Sequence, residues 1–308
     1  MTVQKWLIAA LCAFGIMAML ANIKSCSAAE AAPQWSIDAI NDYIDKANVL
    51  VGDEDGDFCS GTVISIPNRF ILTADHCVRN RIRREQKEFV DPITGVVTTA
   101  TVERRLDLVV SKNIVKNYEI VSRQSLTAKI WARDPENDVA ILQIVDPEYL
   151  PSYAATLAPD DYRLKRGETI YVVGNPGVEF DNSLTKGIVS ATERTLDFGS
   201  GKKIKVFQID AVAIGGNSGG SVLNEQGQIV GTLDAGLRGA GINFVVPIAA
   251  TKKLLKNKGF KDTNGPGIAK NSATKIDERK SSGPGQVITM DLETWPRIFH
   301  RIMDRMAQ

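Results

Sequence analysis

The chain has 308 residues, 44% of them hydrophobic and 24% charged, an ordinary globular composition with enough length for one large domain or two medium ones. Its 37 Lys and Arg against 36 Asp and Glu leave a formal charge of +1. That excludes a whole-molecule field strong enough to draw in nucleic acid or acidic substrates, so partners have to be argued from local features.

At the N-terminus Lys5 precedes an uncharged apolar stretch, 6–21, followed by the small residues around Ser25-Cys26-Ser27-Ala28-Ala29. Residues 1–29 therefore read as an export signal, and the protein as periplasmic or secreted. The apolar run up to Lys24 is also close to the shortest helix that spans a bilayer, so an uncleaved anchor giving membrane association is the alternative. Lys24 and Ser25 ahead of Cys26 match a lipidation site poorly.

Residues 30–47 hold a short amphipathic helix, because Trp35, Ile40, Tyr43 and Ile44 recur near helical spacing. From Asn48 the pattern changes to short runs of Val, Ile, Thr and Phe divided by Gly, Asn, Asp and Pro, which is strand punctuation. Candidate strands cover 49–51, 58–65, 70–73, 106–110, 126–131, 139–145, 169–173, 187–191, 205–209, 221–223, 229–233 and 242–246. A dozen strands without long helices between them predict an all-β domain over 48–258, built as two antiparallel barrels joined by 147–165. A helix over 247–258 closes it. Residues 259–287, rich in Gly, Ser, Asn and Lys, read as a flexible linker. In 288–308 Trp295, Ile298, Phe299, Ile302 and Met306 share one helical face and Arg297, Arg301 and Arg305 another. Docking on the barrels is the simplest role for that helix.

Four cysteines are present, of which Cys12 lies in the export segment and Cys26 near its end. The remaining Cys59 and Cys77, in an exported chain, predict one disulfide; two buried free thiols are the alternative. A zinc site on Cys59, His76 and Cys77 fits badly, since two ligands are adjacent and a fourth is missing, and no metal or cofactor is expected.

Acyl transfer by a serine needs a base for the hydroxyl proton, a carboxylate to hold that base, and donors for the developing oxyanion. Of the two histidines, His300 lies in the tail, which leaves His76 in Phe70-Ile71-Leu72-Thr73-Ala74-Asp75-His76-Cys77 as the base. Ser218 in Gly215-Gly216-Asn217-Ser218-Gly219-Gly220 is the candidate nucleophile, in a glycine turn framed by hydrophobic runs, with the Gly216 and Ser218 amides as oxyanion donors. No lysine follows those glycines as a phosphate loop would require. Asp138, directly before the apolar run 139–142, is the candidate carboxylate. Its rivals are Asp134, in a turn before Pro135, and Asp75, whose side chain should point away from that of its neighbour His76.

Ile71-Leu72-Thr73-Ala74-Asp75-His76-Cys77, Asn137-Asp138-Val139-Ala140-Ile141-Leu142 and Gly216-Asn217-Ser218-Gly219-Gly220 resemble, in that order, the His, Asp and Ser motifs of trypsin-like serine peptidases. Val173-Gly174-Asn175-Pro176, Thr185-Lys186-Gly187-Ile188-Val189, Ile209-Asp210-Ala211 and Gly241-Ile242-Asn243-Phe244-Val245 are similar to the Deg/HtrA-type bacterial members. The resemblance spans roughly 48–255, with 79–125 unmatched. It implies two six-stranded antiparallel barrels, protein or peptide substrates, and a His76–Asp138–Ser218 triad. It further implies that Val212, Ala213 and Ile214 line a small apolar primary pocket, which Asp234 would modify if it reached that pocket.

Asn217 stands where digestive members carry the aspartate that pairs with a newly cut N-terminus, so that activation route is not expected. Deg/HtrA proteins carry PDZ domains after the protease; 259–308 offers too little ordered sequence for one, and peptide-sensing regulation is not carried over. The acidic run 53–57 lacks the glutamate of a calcium loop and reads as a solvated turn. The arginine-rich 79–88 is interrupted by acids and reads as an exposed loop or helix, not a nucleic-acid grip. The rivals to a peptidase are a catalytically inactive envelope binding protein built on the same barrels, and a hydrolase of esters.

Overall fold

The structure, a computed structural model, describes residues 35–56, 59–177, 180–197, 201, 203–237, 241–260 and 263. The expected export segment 1–29, most of the linker and the C-terminal helix 288–308 lie outside the described residues, as do Cys12, Cys26 and His300.

Helix α1 (Ile37–Ala47) begins at Ser36, whose Oγ accepts from the Ala39 amide at 3.2 Å, and buries Ile40, Tyr43, Ile44 and Ala47 on one face. Trp35 packs edge-on against Tyr43 and Tyr171, tying the helix to the second barrel.

The first barrel closes in the order β1 (Asn48–Asp53), β2 (Cys59–Ser65), β3 (Phe70–Ala74), β8 (Val139–Ile144), β7 (Glu119–Asp134), β6 (Leu108–Lys116). The second closes as β10 (Ser183–Asp197), β11 (Lys203–Ile209), β14 (Ile242–Pro247), β13 (Ile229–Leu237), β12 (Ser221–Leu223), β9 (Thr169–Gly174). Every ladder is antiparallel. Each of the dozen candidate strands overlaps one of these twelve, and closure leaves no free sheet edge in either barrel.

Strands β3 and β8 show why these runs are apolar throughout. Ile71, Ala140 and Leu142 fill the first barrel, while Phe70, Leu72, Val139 and Ile141 point the other way into a cluster shared with the second barrel. Both faces are buried, so the usual alternation with polar residues disappears. The connecting segment touches both barrels, with the Ala155 amide donating to Val63 and the Ala158 amide to Ile229. Helix α2 (Ile248–Asn257) then packs Ile248, Leu254 and Leu255 inward, and Lys252 reaches Asp160 at 2.9 Å.

The arginine-rich segment departs from the expected loop or helix. It forms β4 (Ile82–Val90), paired in register with β5 (Val97–Arg105) as a separate two-stranded sheet that is mostly exposed. With no core face it carries no apolar alternation, so its pattern does not announce a strand. The acidic turn after β1 is exposed at Glu54 and Asp55, but its acids are paired: Arg81 donates to Asp53 at 2.6 Å, Arg83 pairs with Asp55, and Arg104 grips both oxygens of Glu54 at 2.9 Å. Acids and arginines that looked unrelated in sequence anchor the base of the hairpin. No helix among the described residues is long and apolar enough to cross a membrane.

Candidate active site

The antiparallel register of β3 and β8 sets Ala74 opposite Val139. The residues just past one strand and just before the other, His76 and Asp138, therefore meet although 62 positions separate them. His76 Nδ1 lies 2.6 Å from Asp138 Oδ2, and the His76 amide donates to Oδ1 at 2.8 Å, so one carboxylate holds both the ring and its backbone. Asp138 has a left-handed backbone (φ 51°), a conformation that an aspartate tolerates better than most residues.

Both rival acids are engaged elsewhere. Asp75, fully buried, makes a bidentate pair with Arg133 at 2.5 and 2.9 Å. Asp134 caps its own turn by accepting from the Glu136 and Asn137 amides.

Ser218 sits in the turn between β11 and β12. The turn is fastened to the first barrel by the Ser60 amide, which donates to the Ser218 carbonyl at 2.8 Å, and by Ser60 Oγ, which donates to the Gly216 carbonyl at 2.8 Å. From the other side the Gly219 amide donates to the Leu233 carbonyl on β13 at 2.8 Å. Two glycines are obligatory here. Gly219 has φ 81° and a Cβ would strike the Ser60 carbonyl and the Thr73 hydroxyl; Gly216 has φ 98° and a Cβ would come 2.5 Å from both the Asn175 carbonyl and the Gly177 amide. Among the described residues the Gly216 and Ser218 amides have no protein acceptor, as donors awaiting an oxyanion would not.

The disulfide expected between Cys59 and Cys77 is formed. It links the start of β2 to the residue after His76, and it removes both thiols from any zinc site.

Asp234, weighed as an acid that would modify the primary pocket if it reached it, sits beside the base and nucleophile candidates. It is 8% exposed, its Oδ1 is 3.7 Å from His76 Nδ1, and its main-chain carbonyl accepts from Ser218 Oγ at 3.2 Å. The residue thus touches both the base and the nucleophile candidates. Its signal in the sequence was an acid within the apolar run of β13, where burial is costly unless the group is partnered or neutral. Of the other expected pocket residues, Val212 and Ile214 are exposed and Ala213 is half-buried against the core. Ser60 was not singled out in the sequence, since a serine inside a strand carries no local mark of bridging two barrels.

Burial works against a charge on His76, but the hydrogen bond and charge of Asp138 and the charge of Asp234 outweigh it, with Arg79 opposing, and the imidazole pKa is raised. Burial also works against ionised Asp138, yet its bond to His76, the imidazole charge and a bond with Asp234 outweigh that, and its pKa is lowered. Asp234 goes the other way: burial first, then the hydrogen bond and charge of Asp138, push it up to about 7. The ligand atoms of these three side chains lie within 4.8 Å of one another. Within the set His76 and Asp138 are hydrogen-bonded to each other.

Two six-stranded barrels with a hydrogen-bonded His–Asp pair beside a glycine-framed serine define the class of trypsin-like serine peptidases. The model of the trypsin-like peptidase domain family matches residues 59–231, more than half of the chain, and the chain belongs to that family. Among known proteins it is similar to the serine protease HtrA-like of Staphylococcus aureus strain USA300, at 32% identity over 146 residues, 44% of this chain and 19% of that protein. The same protein of strain MRSA252 matches at 32% over 145 residues. The chain therefore matches about a fifth of the length of these curated relatives. Among solved structures it is similar to Deg5, at 25% identity and TM-score 0.50, covering 70% of this chain and 89% of that one. It also resembles the apo protease domain of MamO from Magnetospirillum magneticum, with TM-score 0.51 and 18% identity, covering 68% of this chain and 96% of that one. The MamO likeness concerns the fold alone.

Proposed function

We propose that this chain is a serine endopeptidase that hydrolyses peptide bonds of exported or misfolded proteins through an acyl-enzyme. Ser218 Oγ attacks the scissile carbonyl, and His76 takes the hydroxyl proton through Nε2 and returns it to the leaving amine. Asp138 keeps the Nδ1 proton in place, and the Gly216 and Ser218 amides hold the oxyanion. A water, activated by the same imidazole, then releases the acyl group. The observation that carries this reading is the 2.6 Å bond from His76 Nδ1 to Asp138 Oδ2, which fixes the tautomer whose free Nε2 serves as the base.

The Ser218 hydroxyl here donates to the Asp234 carbonyl, so attack requires a rotation about χ1 that turns it to the imidazole. Apo hydroxyls of this kind commonly engage only when substrate arrives. The small apolar segment 211–214, tied down by Asn243 to the Ala211 carbonyl at 2.7 Å and by Thr185 to the Val212 carbonyl at 2.8 Å, favours small or medium apolar side chains before the cleaved bond. Ser218→Ala is expected to lower turnover of casein by about 10⁴-fold, and only the wild type should take up a fluorophosphonate probe. Equal activity in the variant would falsify the assignment, whereas inertness of both forms would favour an inactive binding module.

A further inference from the structure

Asp138 and Asp234 place two buried carboxyls against the same His76 ring, with one oxygen of each and the ring nitrogen within 4.8 Å of one another. Two buried carboxylates this close repel, and the repulsion is relieved when one of them carries a proton that it can donate to the other. Asp138 cannot be that one without loss elsewhere, since its oxygens accept from the His76 ring and from the His76 amide. Asp234 has no comparable donors: its Oδ2 is buried and meets none among the described residues.

We propose that Asp234 is a positioning residue of this site, carrying a proton into its hydrogen bond with Asp138 so that the pair shares one proton and holds Asp138 toward His76. This rests on the peptidase reading only for its consequence in catalysis; the proton sharing itself is a property of the resting protein. The charged groups around Asp234 are few. His76 faces it from the turn after β3, Asp138 from the start of β8, and Arg79, exposed, acts on His76 and Asp234 from beyond the same turn. Arg133 on β7 adds its charge near Asp138 but is bonded to Asp75. The direction of the Asp234 shift agrees with a carboxyl that stays neutral up to the neutral range.

One consequence is that the titrations of His76 and Asp234 are coupled, the loss of a proton from either altering the other. Neutral Asp234 supplies a donor to Asp138; ionised Asp234 supplies a negative charge 3.7 Å from the imidazole, which makes the ring harder to deprotonate. The titration of His76 should therefore run in two steps.

With only two histidines in the chain, nitrogen-resolved NMR of the imidazoles follows His76 directly, and His300→Gln assigns it. The expected result is a two-step titration in the wild type that becomes a single step at lower pH in Asp234→Asn, which keeps a donor but cannot ionise. In peptide hydrolysis, Asp234→Ala should fall about tenfold below Asp234→Asn at the pH optimum, because only the alanine leaves Asp138 without its donor. A single-step His76 titration with one midpoint in wild type and Asp234→Asn overturns the proposal, as does equal turnover of the Asn and Ala variants where the wild type is active. The NMR arm needs no turnover, so an inactive wild type with a two-step titration would sink the peptidase reading and leave the shared proton standing.

Discussion

Arg81 donates to Asp53 at 2.6 Å, and the two side chains are 7% and 1% exposed, making this a buried ion pair at the root of the β4–β5 hairpin. Arg81 also donates to the carbonyl of Cys77, the residue after His76. The pair thus connects the hairpin, the disulfide and the turn that carries the base.

Removing one partner leaves the other charge buried and alone. Arg81→Ala is expected to destabilise the protein by about 3–5 kcal/mol, while Arg81→Met with Asp53→Leu should cost far less. Urea unfolding of both variants measures this; a single variant no worse than the double would show that the pair is not buried in solution.

Asp138→Asn keeps the shape of the side chain but no longer fixes the tautomer with Nε2 unprotonated. Peptide turnover should drop by about 10⁴-fold with folding intact. Circular dichroism together with kcat separates this from misfolding, and a loss under tenfold would argue that another acid orients the ring.

The base works only when neutral, and His76 is raised above its ordinary value. The rising limb of kcat/KM with pH should therefore be centred above about 6.5, the unperturbed imidazole value. Stability runs in the opposite sense. A raised imidazole contributes fully below its unfolded pKa and loses that contribution as pH rises through its folded pKa. Asp138, held low, contributes above its unfolded pKa and loses that as pH falls through its folded one. A rising limb centred at or below pH 6 would contradict the arrangement of these charges.

The Cys59–Cys77 bond closes a loop of 18 residues separation next to the base. On the chain-entropy account its loss should cost about 3 kcal/mol. Comparing unfolding midpoints of the wild type and a Cys59→Ser/Cys77→Ser variant measures it, and the displaced His76 turn should also depress kcat. Unchanged stability and activity would show that the ion pairs alone hold that turn.

Strand periodicity, glycine turns and the order of three motifs were legible in the primary structure because each is written in neighbouring residues. The runs around Phe70 and Val139 are apolar enough to read as strands from the sequence, and the structure buries both of their faces. His76 and Ser218 stood out for the same reason: the residues framing them are local.

What only the tertiary structure decided depends on partners distant in the chain. The hairpin of 82–105 has no buried face to impose a pattern, and the arginines that anchor its base, Arg83 and Arg104, find their acids 28 and 50 positions away. From the sequence, Asp234 could be placed only through the family resemblance, as an acid that would modify the primary pocket if it reached it. The fold sets it near Asp138 and His76, where burial and the neighbouring carboxyl raise its pKa to about 7. Pattern reports which faces are buried; which charges meet across them is set by packing alone.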